Sequence, residues 1–440
     1  MINLLSCTKN QQDQTVSPQS KTADQFPAEV ALQWSGFQLY LIQNSTGFTP
    51  PVASRALGYG GLALYEAVVP GLPMHQSLAG QLNGLLVLPK IDEKAVYHWP
   101  ASANAAEAQI LRNLYANTSD ANKAKIDSLE NRFLAGFKTE SVAEDVLARS
   151  AAFGKQIADA IFEWSRTDGG HEGYNRNFPA DYKLPIFNGS WQPTENGRKI
   201  PMQPYWGKNR TFVAKNATMP ILKPLAVSAD VKSQYFAQYL EVYTKNKSLT
   251  QTEKEISIWW ADDPSDTFTP PGHSYNIARI AIQTAQADLG KAAETLARTG
   301  IAVADAFTIC WKCKYLFNNE RPYTFVRRAI DPAWIPFWPA PPFPGYSSGH
   351  STQSAAAALV LAAVYGETFA FTDDSHVKRV RDQKRNTDFK TRSFKSFWEA
   401  AEESAYSRYL GGIHTRQDNE IGLSTGKTIG QNVNGLNWKK

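Results

Sequence analysis

Lysine does not belong on an apolar helix face, yet Lys314 continues a stripe of Ala304, Phe307, Trp311 and Asn318 at three-and-four spacing. A cation so placed must snorkel, pair or bind an anion. Arg321 stands before Pro322, where helical geometry is disfavoured, so its guanidinium leaves the helix end near the same face. A second stretch, Ser348-Gly349-His350, lies just before SAAAALVLAAVYG, which reads as a buried helix. The first N–H groups of such a helix lack intrahelical partners and favour negative charge. Glycine lets a ligand approach the main chain, the serine donates a hydrogen bond, and the histidine moves a proton near neutral pH. A third stretch, SRYLGGIHTRQD, brings Arg408, His414 and Asp418. Asp418 reaches the His414 ring if the chain turns helical there, fixing its tautomer and leaving the other nitrogen free as a ligand or nucleophile.

Each stretch alone also has an ordinary reading: two solvated cations at a helix end, a serine N-cap with a histidine behind it, a capping carboxylate beside a surface histidine. Together they offer three fixed cations, a hydroxyl, a backbone N–H and two imidazoles. That set suits a tetrahedral oxyanion such as phosphate or vanadate, with one apical protein ligand and one proton donor opposite.

The elements that must position these groups are helical. AEVALQWSGFQLYLIQN, VASRALGYGGLALYEAVV, AEAQILRNLYAN, VAEDVLARSAAFGKQIADAIFEW, VKSQYFAQYLEVYTKN, TEKEISIWWADD, HSYNIARIAIQTAQADL and AETLARTGIAVADAFTICWKCKYLF all carry apolar residues at three-and-four spacing. Alternating strand patterns are nearly absent. Two irregular stretches, Thr167–Ala214 and Asn318–Ser347, are rich in Trp, Phe, Tyr and Pro rather than bland linker residues, and such loops fold over a helical body and line sites. The expected fold is all-α, with two four-helix-type bundles and ordered aromatic and proline-rich loops capping the site. Residues 1–26 read as a polar, mobile tether and residues 27–440 as one helical domain, with the site motifs inside 311–418.

Composition narrows the function further. The 440 residues carry a net charge of +5 with no dense Lys/Arg block, so nothing supports a nucleic-acid or membrane-surface partner. The longest apolar run, Ala355–Tyr365, is too short to span a bilayer. Three cysteines make no disulfide framework, and Cys310-x-x-Cys313 reads as two core residues of a helix. Leu4-Leu5-Ser6-Cys7 is similar to the lipobox of bacterial lipoproteins, but only six residues precede Cys7, too few for a secretory core. The expectation is an exported protein (periplasmic, secreted or anchored through Cys7) acting as a monomer.

Lys314-x6-Arg321-Pro322, Ser347-Ser348-Gly349-His350 and Ser407-Arg408-x5-His414-x3-Asp418 resemble the three-part signature of the type-2 phosphatidic acid phosphatase and vanadium haloperoxidase superfamily, with Ser347 in place of the usual proline. The resemblance implies two possible chemistries. In a phosphatase, His414 attacks phosphorus to form a phosphohistidine and His350 protonates the leaving group. In a haloperoxidase, His414 is the vanadium ligand of a vanadate cofactor. Lys314, Arg321, Arg408, Ser348 and the Gly349 N–H then bind its oxygens, His350 takes a proton from hydrogen peroxide, Lys314 polarises the bound peroxide oxygen, and a halide becomes a hypohalous acid. A catalytically silent phosphate-binding member is the third possibility.

Haloperoxidase is the favoured reading. Trp311 and Pro341-Pro342-Phe343 resemble the lining of haloperoxidase pockets, the long helical region before the first motif resembles their amino-terminal bundle, and an aromatic, proline-stiffened pocket makes a dry halide site. Asp262, Asp263 or Asp266 is expected to pair with Arg321 or Arg408 behind the site, while His273 is read as structural. Algal bromoperoxidases place a histidine where Phe343 stands; Phe343 and Ser347 look more like chloroperoxidases and bacterial iodoperoxidases. The expected substrates are hydrogen peroxide and iodide, with bromide second.

Overall fold

The computed structural model of the protein describes residues 20–194 and 198–440, so Cys7 and most of the expected tether lie outside the described residues. Fourteen α-helices follow one another among the described residues: α1 (Glu29–Asn44), α2 (Pro50–Val68), α3 (Trp99–Leu114), α4 (Asp120–Thr139), α5 (Glu144–Ser165), α6 (Ala214–Ala217), α7 (Gln234–Asn246), α8 (Gln251–Trp259), α9 (Thr269–Thr284), α10 (Leu289–Phe317), α11 (Pro322–Ala329), α12 (Gly349–Tyr365), α13 (Phe397–Leu410) and α14 (Arg416–Asn434). The all-α expectation holds apart from two three-residue strands, β1 (Phe371–Asp373) and β2 (Arg392–Phe394), paired antiparallel with Phe371 opposite Phe394. The tether ends earlier than residue 26. Ser20 Oγ accepts from the Tyr97 N–H, the Lys21 carbonyl accepts from Trp99 Nε1, and Ala23 is buried.

Helix α10 is the spine. Its 29 residues span about 44 Å at 1.5 Å per residue. Apolar residues surround it on all sides, as a fully buried helix requires: α2 packs along one flank and α12 along another, with α9 and α14 also against it. Helices α1–α5 and α9 gather on the α2 side, and α12–α14 on the other. Asp288 starts α10 by accepting from the Lys291 N–H, and Asn318 ends it in the left-handed conformation. The Thr167–Ala214 stretch is fastened to α10 by Asp305, a fully buried carboxylate that accepts from the Phe212 and Val213 N–H groups and from Asn216 Nδ2.

The contact that matters most for the site is α12 against α14. Gly422, Gly426 and Gly430 recur every four residues on α14 and face α12. A Cβ at Gly426 would stand 2.1 Å from the Thr352 carbonyl oxygen, so only glycine admits this approach. The helices therefore run together from their first turns, and the Ser348 N–H donates to the Asp418 carbonyl at 3.0 Å. The second and third sequence stretches are thus joined by backbone.

The irregular stretch Asn318–Ser347 contains a helix that its composition hides. Arg321 is extended (φ −94°, ψ 160°) and serves as the N-cap residue of α11, with Pro322 at its first position. The guanidinium consequently turns back under the end of α10, as the residue-before-proline argument requires. Among the described residues, no helix is long and apolar enough to cross a membrane.

Candidate active site

Lys314, Arg321 and Arg408 are all essentially buried, and none forms an ion pair within 4 Å among the described residues. Burial pushes their pKa values down, to about 8 for Lys314, about 9 for Arg321 and about 10 for Arg408. Three uncompensated cations in one place are costly unless an anion joins them. Lys314 Nζ donates to the carbonyls of Pro344 (3.0 Å), Gly345 (2.9 Å) and Ser347 (2.5 Å), fixing the loop that leads into α12. Arg321 donates through Nε to the Phe343 carbonyl at 3.0 Å and through Nη1 to Ile413 O at 2.8 Å and His414 Nε2 at 3.2 Å. Arg408 Nη1 donates to the Trp260 carbonyl at 2.7 Å, while its Nε is buried without a partner.

Both histidines are neutral. Burial first, then the cations Arg321, Lys314 and Arg408, hold His414 well below the ordinary imidazole value; burial and Arg408 do the same to His350. His414 Nδ1 donates to Asp418 Oδ2 at 3.0 Å, which leaves the Nε2 lone pair directed at the cations. Asp418 also accepts from the Thr415 N–H at 3.0 Å, completing the N-terminal cap of α14. The capping reading and the imidazole-orienting reading of Asp418 are both correct. The His350 ring donates to the Trp260 carbonyl, and its Nε2 is buried without a partner. Ser348 caps α12, with its Oγ accepting from the Ser351 N–H (3.4 Å) and Oγ (2.9 Å).

A cavity of about 240 Å³ opens onto these groups. Gly349, His350, Arg408 and His414 line it together with Phe307, Trp311, Pro341, Pro342 and Phe343. Trp311 and Phe343 meet with ring centroids 5.0 Å apart, and Trp311 Nε1 is satisfied by the Met202 carbonyl at 3.2 Å. All pocket residues expected from the sequence are therefore on the wall. Lys314, Arg321 and Ser348 are not; they sit one layer behind it, their donors engaged with the 343–347 loop, Ile413, His414 and the α12 cap. Wall residues that the sequence reading missed include Trp338, Pro50, Pro264 and Pro270. Trp338 lay unweighted in an aromatic-rich loop, and nothing in local spacing singles it out.

The aspartates behind the site need correcting. Asp262 does not pair with Arg321 or Arg408. Its Oδ2 accepts from His273 Nδ1 at 2.9 Å and its Oδ1 from His376 Nε2 at 2.8 Å. Asp263 is the carboxylate whose charge Arg408 feels most strongly. Asp266 is exposed, and its carboxylate lies 4.0 Å from Arg379. His376, absent from the sequence reading, follows β1 in an irregular segment without periodic signal. His273 also bonds through Nε2 to Asp373 Oδ2 at 2.8 Å, and these two carboxylates raise its pKa to about 10 against the cost of burial. A raised pKa adds stability that is complete below about 6.5 and disappears as pH rises through about 10. Thermal melts should accordingly show the wild type losing stability across that window, and His273→Gln should flatten this part of the profile.

Fold and site define an enzyme-like helical body with a cationic oxyanion cradle at the base of a largely apolar cavity. The family model described as the VCPO second helical-bundle domain matches residues 294–437. The vanadium chloroperoxidase of Curvularia inaequalis is 25% identical over 91% of this chain and 81% of its own length. The crystal structure of a bacterial vanadium-dependent iodoperoxidase is 32% identical, covers 94% of this chain and 97% of its own, and superposes with a TM-score of 0.82. A holo-type bacterial vanadium-dependent chloroperoxidase is 15% identical with a TM-score of 0.65, which speaks for the fold. The chain belongs to the vanadium-dependent haloperoxidases. It is an enzyme, a peroxidase, and its cofactor is vanadate.

The residues present fit that cofactor. The orphaned Nε2 of His350 and Nε of Arg408 are buried polar atoms on the cavity wall, each costing about 1–3 kcal/mol if left unmatched. Gly349 lines the cavity, and a Cβ there would stand in ordinary van der Waals contact with Trp311 Cζ3 at 3.6 Å and Cys310 Sγ at 3.9 Å. Three cations and a neutral His414 Nε2 supply the charge and the ligand lone pair that a vanadate anion needs.

Proposed function

We propose that the protein oxidises iodide with hydrogen peroxide, in the balance I⁻ + H₂O₂ + H⁺ → HOI + H₂O, at the site formed by Lys314, Arg321, Ser348, Gly349, His350, Arg408 and His414. His414 Nε2, oriented by Asp418, would be the vanadium ligand. Lys314, Arg321, Arg408, Ser348 and the Gly349 N–H would hold the anion, the first two and the serine by exchanging protein contacts for contacts to it. Bound vanadate supplies a Lewis-acid centre that activates hydrogen peroxide toward attack by halide. His350, neutral and with Nε2 free, takes the proton that hydrogen peroxide releases on binding. The Lys314 ammonium would polarise peroxide held at the site, and the three cations would offset the negative charge of the bound anion.

The observation that carries the halide reading is the cavity itself. Its wall beside His350 and Arg408 is Trp311, Trp338, Phe343 and a run of prolines, with few groups able to replace a hydration shell. The cost of drying an anion falls as the anion grows, so this wall disfavours chloride most and iodide least. Iodide also yields its electrons most readily. The likeness to a bacterial iodoperoxidase over nearly the whole of both chains points the same way. Steady-state oxidation of iodide, bromide and chloride by the vanadate-loaded enzyme tests the preference. The expected result is a kcat/KM for iodide at least about tenfold above that for bromide, with chloride undetectable, a gap of about 1.4 kcal/mol in transition-state stabilisation. Equal or faster bromide oxidation refutes the iodide preference.

A further inference from the structure

Of the seven histidines, His350 and His414 line the cavity, while His273 and His376, bonded to Asp262 on its wall, have no place in the chemistry above. They form a buried chain with two carboxylates: His376 to Asp262, Asp262 to His273, His273 to Asp373, at 2.8, 2.9 and 2.8 Å. Asp373 is further held by Trp259 Nε1 at 2.8 Å and by the Ser375 N–H at 3.0 Å. Asp262, His273 and His376 also present ligand atoms within 4.8 Å of one another, the spacing of a metal site. Hydrogen bonding accounts for them better. Both His273 nitrogens face carboxylate oxygens at hydrogen-bond distance, so both carry protons and the ring has no lone pair left for a cation.

The chain grips one short segment, Trp260–Asp263. His273 stacks on the Trp260 ring with centroids 4.5 Å apart at 25°. Asp262 holds a left-handed backbone (φ 52°) that a non-glycine residue adopts only when its surroundings impose it, and both its carboxylate oxygens are engaged by histidines. That segment touches the cofactor site at three points. The Trp260 carbonyl accepts from Arg408 Nη1 and from the His350 ring, and Asp263 is the foremost counter-charge to Arg408. Without the grip, Trp260 keeps its backbone bond to Ile256 at the end of α8 and its Nε1 bond to Glu403, but the residues after it lose the histidine clamp.

We propose that His273 is a positioning residue for vanadate: clamped between Asp262 and Asp373 and stacked on Trp260, it holds the Trp260–Asp263 segment that sets Arg408 and His350 against the anion. The inference rests on the assignment of Arg408 and His350 to the cofactor site. It deepens that assignment by naming what fixes their geometry.

The test is the vanadate dissociation constant of the full-length apo-protein, titrated with orthovanadate and followed by tryptophan fluorescence. His273→Gln keeps the volume but cannot bond both carboxylates, and Asp373→Asn removes the far clamp. Each should weaken vanadate binding at least about tenfold while the melting curve stays cooperative, the scale expected when a partner that orients a metal-site ligand is lost. Glu294→Gln is the stability control. It breaks a remote buried cluster with Arg298 and His75 and should lower the melting temperature with vanadate affinity unchanged. Arg408→Ala separates the two levels of the argument. If it leaves vanadate affinity unchanged, the site assignment falls. If it weakens binding while His273→Gln and Asp373→Asn bind normally, only the positioning role is overturned. One equivalent of a divalent cation in the purified holoenzyme, lost in His273→Gln, also overturns it in favour of a metal site.

Discussion

His414→Ala yields a folded protein that no longer responds to vanadate: halide oxidation falls by about 10³-fold or more, the scale of removing a group on which every later step depends. His414 Nε2 is an imidazole lone pair aimed into the cluster of cations, 3.2 Å from Arg321 Nη1. Arg321, Arg408 and Lys314 can attract an anion without it, but they cannot fix the vanadium atom. The rest of the structure tolerates the loss. Asp418 Oδ2 still accepts from the Thr415 N–H, and Arg321 Nη1 still donates to the Ile413 carbonyl, so the caps and the loop before α14 keep their partners. Circular dichroism should match the wild type, and added vanadate should restore nothing. Vanadate-dependent activity in this variant would mean that the apical ligand lies elsewhere.

Gly426→Ala has the largest expected effect on the fold. The new methyl group would have to occupy space 2.1 Å from the Thr352 carbonyl oxygen, and 2.8 Å from Ala355 Cβ, in the middle of the α12–α14 contact. Neither neighbour is the flexible end of a side chain, so the helices must separate. Overpacking of this kind costs about 1–3 kcal/mol or more, well beyond the small gain in helix propensity from glycine to alanine. Because the Ser348 N–H and the Asp418 carbonyl are bonded across the same contact, the site should loosen with it. Gly136→Ala in α4 is the comparison, since a Cβ there meets nothing within 4 Å and the helix should gain about 0.5–1 kcal/mol. Melting temperatures of the two variants should move in opposite directions. A Gly426→Ala protein as stable as the wild type would contradict the close approach of the two helices.

The helical fold was legible from apolar periodicity, and the candidate site from three stretches read together: Lys314 as a cation on an apolar stripe, Gly349 and His350 at a helix start, and Arg408 and His414 through the spacing that resembles the superfamily signature. Helix α4 has no such signal. Its sequence DANKAKIDSLENRFLAGFKT buries little beyond Ile126, Phe137 and two polar positions, so a narrow apolar stripe is diluted by charge. Helix α11 hides among prolines and aromatics for the same reason. The pairing of the aspartates could not be read at all. Asp262 and Asp263 are neighbours in sequence, and the left-handed backbone at Asp262 turns the first toward two histidines, one of them 114 residues away. Long-range partners of that kind leave no trace in local spacing.

Part of the cavity wall comes from stretches outside the charged cradle. Every cation and histidine assigned to vanadate falls between Lys314 and His414, within the part of the chain that matches the family's second bundle. Pro50 at the start of α2, Met202 in the long irregular loop, Ala261–Pro264 and Pro270 at the start of α9 complete the enclosure from outside that part. Changes at Pro50 and Met202 can therefore alter what reaches the cradle without touching a group assigned to vanadate, whereas changes at Ala261–Pro264 also disturb the segment that sets Arg408.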